Sequence, residues 1–227
     1  MDILIFGATG MVGGGVLREC LLAPDVERVV TVGRTPLGVR HSKLREVIAP
    51  DLMDVESFAS ELDGLDACFF CLGVSSVGMD EAAYTRTTYE LTLAIAEVLA
   101  RLNPDMTFVY VSGAGTDSSE RGRSMWARVK GRTENALQRL PFKAAYAFRP
   151  GIIQPLHGVR SKTRSVRVFY ALAKPVFPLL RALFPRQIAT TESIGRAMLA
   201  VARHGAPKPI LETGDFHALG AVEHASA

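Results

Sequence analysis

The stretch Met1-Asp2-Ile3-Leu4-Ile5-Phe6-Gly7-Ala8-Thr9-Gly10-Met11-Val12-Gly13 decides the fold. Its opening residues form an apolar run of the kind that is buried on both faces of a parallel sheet. Three glycines follow at a spacing of three, and a segment of helical period runs on over residues 12–22. Strand, glycine turn and helix in that order ask something different of each glycine. Gly7 permits a tight turn with an unusual backbone angle. Gly10 lets the main chain approach a diphosphate, and Gly13 lets the helix pack close to the strand. The unpaired N–H groups and the positive end of the helix then face the anion. This context predicts a dinucleotide-binding turn, whereas the glycine spacing alone would be a weak signal. Gly14 and Gly15 are read as slack in the first helical turns, at a cost of about 1 kcal/mol each relative to alanine.

Outward from the turn, short apolar runs alternate with helical-period segments. Strands are expected at Val29-Val30-Thr31-Val32, Val47-Ile48, residues 67–72, Phe108-Val109-Tyr110-Val111 and residues 144–148. Helices are expected at 55–62, 79–102 and 126–140. Repeated β-then-α order implies parallel pairing with right-handed crossovers. The fold class is therefore α/β, a doubly wound parallel sheet of the Rossmann type. Past Gly151 the rhythm breaks, apart from a helix over 191–204 capped by Thr190 or Thr191. Residues 152–204 are read as a small elaboration on the substrate side of a single domain spanning 1–227, with a frayed tail over 215–227.

The second strand leads into Gly33-Arg34-Thr35. An enzyme selective for NAD usually offers a carboxylate there to the ribose hydroxyls. Arg34 instead matches a phosphate bidentately. The cofactor expected is NADP(H), with NAD as the alternative.

Bulk composition is that of a globular protein, with 48% hydrophobic and 22% charged residues. A net charge of +3 is too small for a dedicated nucleic-acid binder and suits an anionic dinucleotide. Cys68 and Cys71 form a CxxC inside an apolar run with no second pair to complete a metal site. With Cys20 they are read as small buried hydrophobes, and no metal is expected. Reduced thiols and the lack of an evident leader point to the cytoplasm. No apolar stretch is long enough to span a bilayer.

Beyond the glycine turn, the order of Arg34, Asp51-Leu52, Cys71-Leu72-Gly73, Val111-Ser112-Gly113, Lys130-Gly131 and Arg149-Pro150-Gly151 resembles the atypical short-chain dehydrogenase/reductase superfamily. Within it the chain is most similar to small bacterial NAD-dependent epimerase/dehydratase-like proteins, and through them to the Tat-interacting-protein-like oxidoreductases. The resemblance covers roughly residues 1–205. It implies cofactor contacts from Gly7, Thr9, Gly10, Met11, Val12 and Gly13 in the turn. It implies adenine contacts from Asp51 and Leu52, and a cofactor lining from Cys71, Leu72 and Gly73. Ser112 would stand at the catalytic hydroxyl position, Lys130 would hold the nicotinamide ribose, and Pro150 and Gly151 would flank the nicotinamide.

One departure matters. The superfamily carries Tyr-x-x-x-Lys on one helix face, and this chain reads Trp126-Ala127-Arg128-Val129-Lys130. An indole donates a hydrogen bond but does not exchange a proton near neutral pH. Thr88 stands nearest to the family's asparagine. Tyr84, Tyr89, Tyr110, His157 and Ser112 are weighed as replacements, with Tyr110 read as core. The leading expectation is an oxidoreductase acting on a small substrate; the alternative is a dinucleotide-binding module without chemistry. Outside the cofactor half, residues 112–123 read as a mobile loop, with Asp117, Glu120 and Arg121 merely solvated. Arg160, Lys162, Arg164 and Arg167 form a basic run. The apolar segment 169–184 reads as a lid, a dimer surface or a peripheral membrane contact. A monomer or a homodimer is expected.

Overall fold

Ile3 and Ile5 of the first strand, β1 (Asp2–Phe6), face one side of a sheet, and Leu4 and Phe6 face the other. All four are fully buried, so both faces of this strand are covered. The computed structural model describes residues 1–158 and 187–224. Around β1 lie β2 (Arg28–Gly33), β3 (Leu44–Ile48), β4 (Ala67–Phe70), β5 (Thr107–Val111), β6 (Ala144–Arg149) and a late strand, β9 (Ile210–Glu212). The order across the sheet is β3-β2-β1-β4-β5-β6-β9, and every pairing is parallel. The chain leaves β1 in one direction and returns in the other at β4. The crevice between those strand ends is where such sheets bind ligands.

One face of the sheet is covered by α1 (Met11–Leu22) and by two late helices, α5 (Thr191–His204) and α6 (Thr213–His224). The other face packs on α3 (Leu91–Leu102) and α4 (Met125–Leu137), with the Phe70 ring in contact with the rings of Phe6 and Phe108. The helix expected over 79–102 starts at α2 (Glu81–Thr85), where the Asp80 carboxylate caps it by accepting the Ala83 N–H at 2.7 Å. It reaches α3 through a π turn at Arg86–Glu90. The segment expected to be helical over 55–62 is 3₁₀ at Val55–Glu61.

Several expectations are corrected here. The third strand begins at Leu44, because three more residues pair with β2 than the two-residue apolar run suggested. The tail is not frayed through residue 224, because Phe216 is fully buried and stacks on Phe148 at 4.7 Å between centroids. Helix α5 belongs to the body of the fold rather than to a substrate-side elaboration, since it packs along α1. Gly15 is accordingly not slack: a Cβ there would lie 2.5 Å from the Thr191 side chain. From the opposite helix, a Cβ on Gly195 would lie 2.7 Å from Glu19 Cγ. The two glycines let α1 and α5 cross at close range, and Thr190 caps α5 in a reciprocal box with Ser193.

A small parallel pair, β7 (Ile152–Gln154) and β8 (Ile188–Thr190), stands apart from the main sheet. The basic run and the apolar segment 169–184 lie outside the described residues. Among the described residues, no helix is long and apolar enough to cross a membrane.

Candidate functional site

The glycine turn closes tightly because its neighbours leave no room for side chains. Gly7 has φ +78°, and a Cβ on it would lie 2.6 Å from the Cys71 carbonyl oxygen. A Cβ on Gly13 would lie 2.2 Å from the Gly7 carbonyl oxygen. Gly10 donates its N–H to that same carbonyl at 2.8 Å and serves as the N-cap of α1. Met11 and Val12 form the first turn of α1, which carries no acidic residue and no side-chain cap. The positive end of α1 thus opens onto bare main chain, the arrangement that accepts an anion.

Beside the turn lies a hollow of about 310 Å³, lined by Thr9, Arg34, Thr35, Glu46, Leu52 and Leu72 among others. No described residue pairs with the Arg34 guanidinium. Asp51, expected at the adenine, lies outside this lining: its carboxylate is exposed and accepts the Met53 N–H at 2.9 Å as a turn residue. Its neighbour Leu52 is buried and does line the hollow. Gly73 is exposed and Leu72 half-buried. Burial pushes the Cys71 thiol up to about 12, which leaves it protonated at neutral pH. Cys68 packs into the core face opposite the one that Cys71 contacts, because residues three apart on a strand point to opposite sides.

The far half of the site is built on β5 and β6. Ser112 is buried at the end of β5, its N–H donating to the Phe148 carbonyl at 2.7 Å. Ser112 Oγ lies 2.9 Å from Thr116 Oγ1. The threonine hydroxyl donates to the Gly113 carbonyl at 2.8 Å, so its single proton is spoken for and the serine must be the donor in that contact. The remaining lone pairs of Ser112 Oγ stay available as acceptors. Lys130 Nζ donates to the Ser112 carbonyl at 3.1 Å and stands 5.5 Å from the Tyr110 ring centroid. Burial pushes its ammonium down to about 8, against an upward pull from the Glu134 carboxylate. Pro150 is buried, and the Gly151 N–H donates to Thr213 Oγ1 at 2.9 Å.

Residues 112–123 are not loose. The Asp117 carboxylate accepts the N–H groups of Ser119 and Gly122 and the Ser119 hydroxyl, which holds it below the usual carboxylate range. The Asp117 N–H donates to the Ala127 carbonyl at 3.1 Å. Gly131 lets this loop press on α4, since a Cβ there would lie 1.8 Å from the Asp117 carbonyl oxygen. Asp117 and Glu120 are therefore structural, the latter accepting from Asn135 Nδ2 at 2.7 Å.

The weighed substitutes for the family tyrosine are otherwise engaged. Trp126 is half-buried and covers the Gly113 to Gly115 turn, its ring 3.6 Å from where a Gly115 Cβ would be. Tyr89 does not turn inward, because its ring carries the Arg132 guanidinium at 4.1 Å. Tyr84 and Tyr110 are both buried, which raises both phenols. His157 Nε2 lies 2.7 Å from Glu192. Among the described residues, Lys130 is the titratable group that reaches Ser112.

The comparisons agree with this architecture. The model of the NAD dependent epimerase/dehydratase family matches residues 3–123. The protein fmp52-1, mitochondrial, of Aspergillus terreus is 30% identical over 169 residues, 72% of this chain and 70% of that protein. The rat protein HTATIP2 is 28% identical over 67% of this chain, and the match spans 62% of its length. Among solved structures, the Bordetella bronchiseptica enzyme WbmF in complex with NAD+ superposes with a TM-score of 0.67 at 15% identity, covering 100% of this chain and 79% of that one. Carbonyl reductase Sniffer of D. melanogaster gives 0.65 at 13% identity, covering 94% and 96%. The cytoplasmic expectation is corrected by the fungal relatives, several of which are named mitochondrial. Reduced thiols do not distinguish the cytosol from other reducing compartments.

Proposed function

We propose that this chain, which belongs to the NAD dependent epimerase/dehydratase family, is a single NADP(H)-binding domain that acts as an oxidoreductase on a small carbonyl or alcohol. The observation that carries the reading is the bare turn at Gly7, Gly10 and Gly13, with the positive end of α1 aimed into it. A bound nicotinamide dinucleotide would supply the hydride. The chain's own residues would do the rest: the turn would hold the diphosphate and Arg34 the 2′-phosphate. Ser112 Oγ would accept a hydrogen bond from the hydroxyl of the alcohol form of the substrate. Lys130 would hold the ribose and, with no phenol at residue 126, serve as the proton donor. An ammonium depressed toward neutrality is a workable general acid.

Arg34→Ala tests the cofactor assignment. NADPH affinity is expected to fall about tenfold or more, as for loss of a charge-assisted hydrogen bond, while NADH affinity holds. Equal losses for both, by calorimetry, count against the assignment. The chemistry has its own test in NADPH oxidation with a panel of carbonyls. Lys130 is charged below about pH 8 and neutral above it, so turnover is expected to decline as pH rises through that value. Lys130→Met should abolish turnover without lowering the folded yield. A second reading, dinucleotide binding without turnover, is favoured by the indole at Trp126. Tight NADPH binding with no reduction of any carbonyl selects it.

A further inference from the structure

The hollow that carries Arg34 also carries a carboxylate. Glu46 lies on β3 in register with Thr31 of β2, and both line the hollow together with Arg34 and Thr35. Glu46 Oε2 accepts the Leu37 N–H at 2.7 Å. The side chain therefore does two things. It ties the turn that follows β2, and with it Arg34, to the neighbouring strand. It also sets a negative charge on the wall of the space where the reading above puts the ribose 2′ position.

These effects pull in different directions. The tether orders the turn for any dinucleotide. The charge discriminates between ligands, because it repels a 2′-phosphate as a like charge, whereas a 2′-hydroxyl is neutral and can donate a hydrogen bond to the carboxylate. An acid that merely made NAD-type ribose contacts would leave the turn alone. An acid that merely tethered the turn would not need to face the hollow.

We propose that Glu46 is a specificity-determining residue: its carboxylate opposes the 2′-phosphate that Arg34 attracts, so that the pocket takes NADH as well as NADPH. The proposal rests on the assignment of this hollow to the adenosine end of the cofactor.

Glu46→Gln separates the two effects, since the amide oxygen still accepts the Leu37 N–H while the charge is gone. Calorimetric Kd values for NADPH and NADH should then diverge. NADPH binding is expected to tighten about three- to tenfold, as for removal of one partly screened like charge, with NADH changed less than about twofold. The gain should shrink in high salt. Glu46→Ala removes charge and tether together, so both cofactors weaken while their ratio still moves toward NADPH. If both bind and Glu46→Gln leaves the ratio unmoved, the proposal is overturned. If neither cofactor binds the unmodified protein, the dinucleotide reading itself falls, and this inference with it.

Discussion

Glu134→Ala is expected to cost about 3–5 kcal/mol of folding stability, the usual penalty for breaking a buried ion pair from one side. Glu134 on α4 is 1% exposed, and the Arg149 side chain at the end of β6 is 11% exposed. The guanidinium meets the carboxylate through both Nε and a terminal nitrogen, and it also donates to Ser118 Oγ. Removing the carboxylate strands a buried cation that pairs with no other acid among the described residues. Urea unfolding should show the loss directly. At about 2–4 °C per kcal/mol for a chain of this size, the midpoint should fall by about 6–20 °C. A double change, Glu134→Leu with Arg149→Met, should regain much of it, because apolar replacements remove the desolvation penalty along with the pair. The same carboxylate holds the Lys130 ammonium up against burial. In any folded Glu134→Ala protein, the alkaline decline in turnover should therefore move to lower pH. A stability loss under about 1 kcal/mol would show that the pair is not buried as described.

That ion pair also marks where the sequence stops being legible. The strand at Asp2–Phe6 and the glycine turn could be read because their signals are local: a doubly apolar run, then glycines at fixed spacing. The same holds for α5, whose cap and period are contiguous in sequence. Glu134 and Arg149 look like ordinary surface charges in one dimension, and only the packing of α4 on β6 joins them. Likewise Asp117 reads as a solvated loop acid until Gly131 brings the loop against α4. Arg34 is legible because it directly follows a strand, whereas Glu46 sits on an exposed edge strand with no motif around it. Thr116 had a weak signal, a hydroxyl four residues past the motif serine. The last helix is not legible because Gly214 and Gly220 interrupt it, and its anchor Phe216 finds Phe148 only across the fold.

The other large effect belongs to two glycines on the same helix. Gly13→Ala should raise the Kd for NADPH by at least about 100-fold, equivalent to about 2.7 kcal/mol. The new methyl would stand 2.2 Å from the Gly7 carbonyl oxygen and 2.7 Å from its carbon. Both are main-chain atoms of the turn that would hold the diphosphate, so no side chain can swing aside. Either α1 shifts away from β1 or Gly7 leaves its φ of +78°, and each movement spoils the approach of N–H groups to the anion. Gly15→Ala makes the contrast. Its methyl would meet Thr191 of α5, with the nearest atom 2.5 Å away on a side chain and the carbonyl oxygen at 2.9 Å. That collision spreads α1 from α5 and leaves the turn as it is. Thermal unfolding followed by the fluorescence of Trp126, the single tryptophan of the chain, together with NADPH titration, separates the two. Gly15→Ala should lower the unfolding midpoint yet keep its Kd within about tenfold, because an overpacked helix crossing costs stability of about 1–3 kcal/mol rather than a binding contact. A Gly13→Ala protein that binds NADPH like its parent would mean that the diphosphate does not rest on this turn.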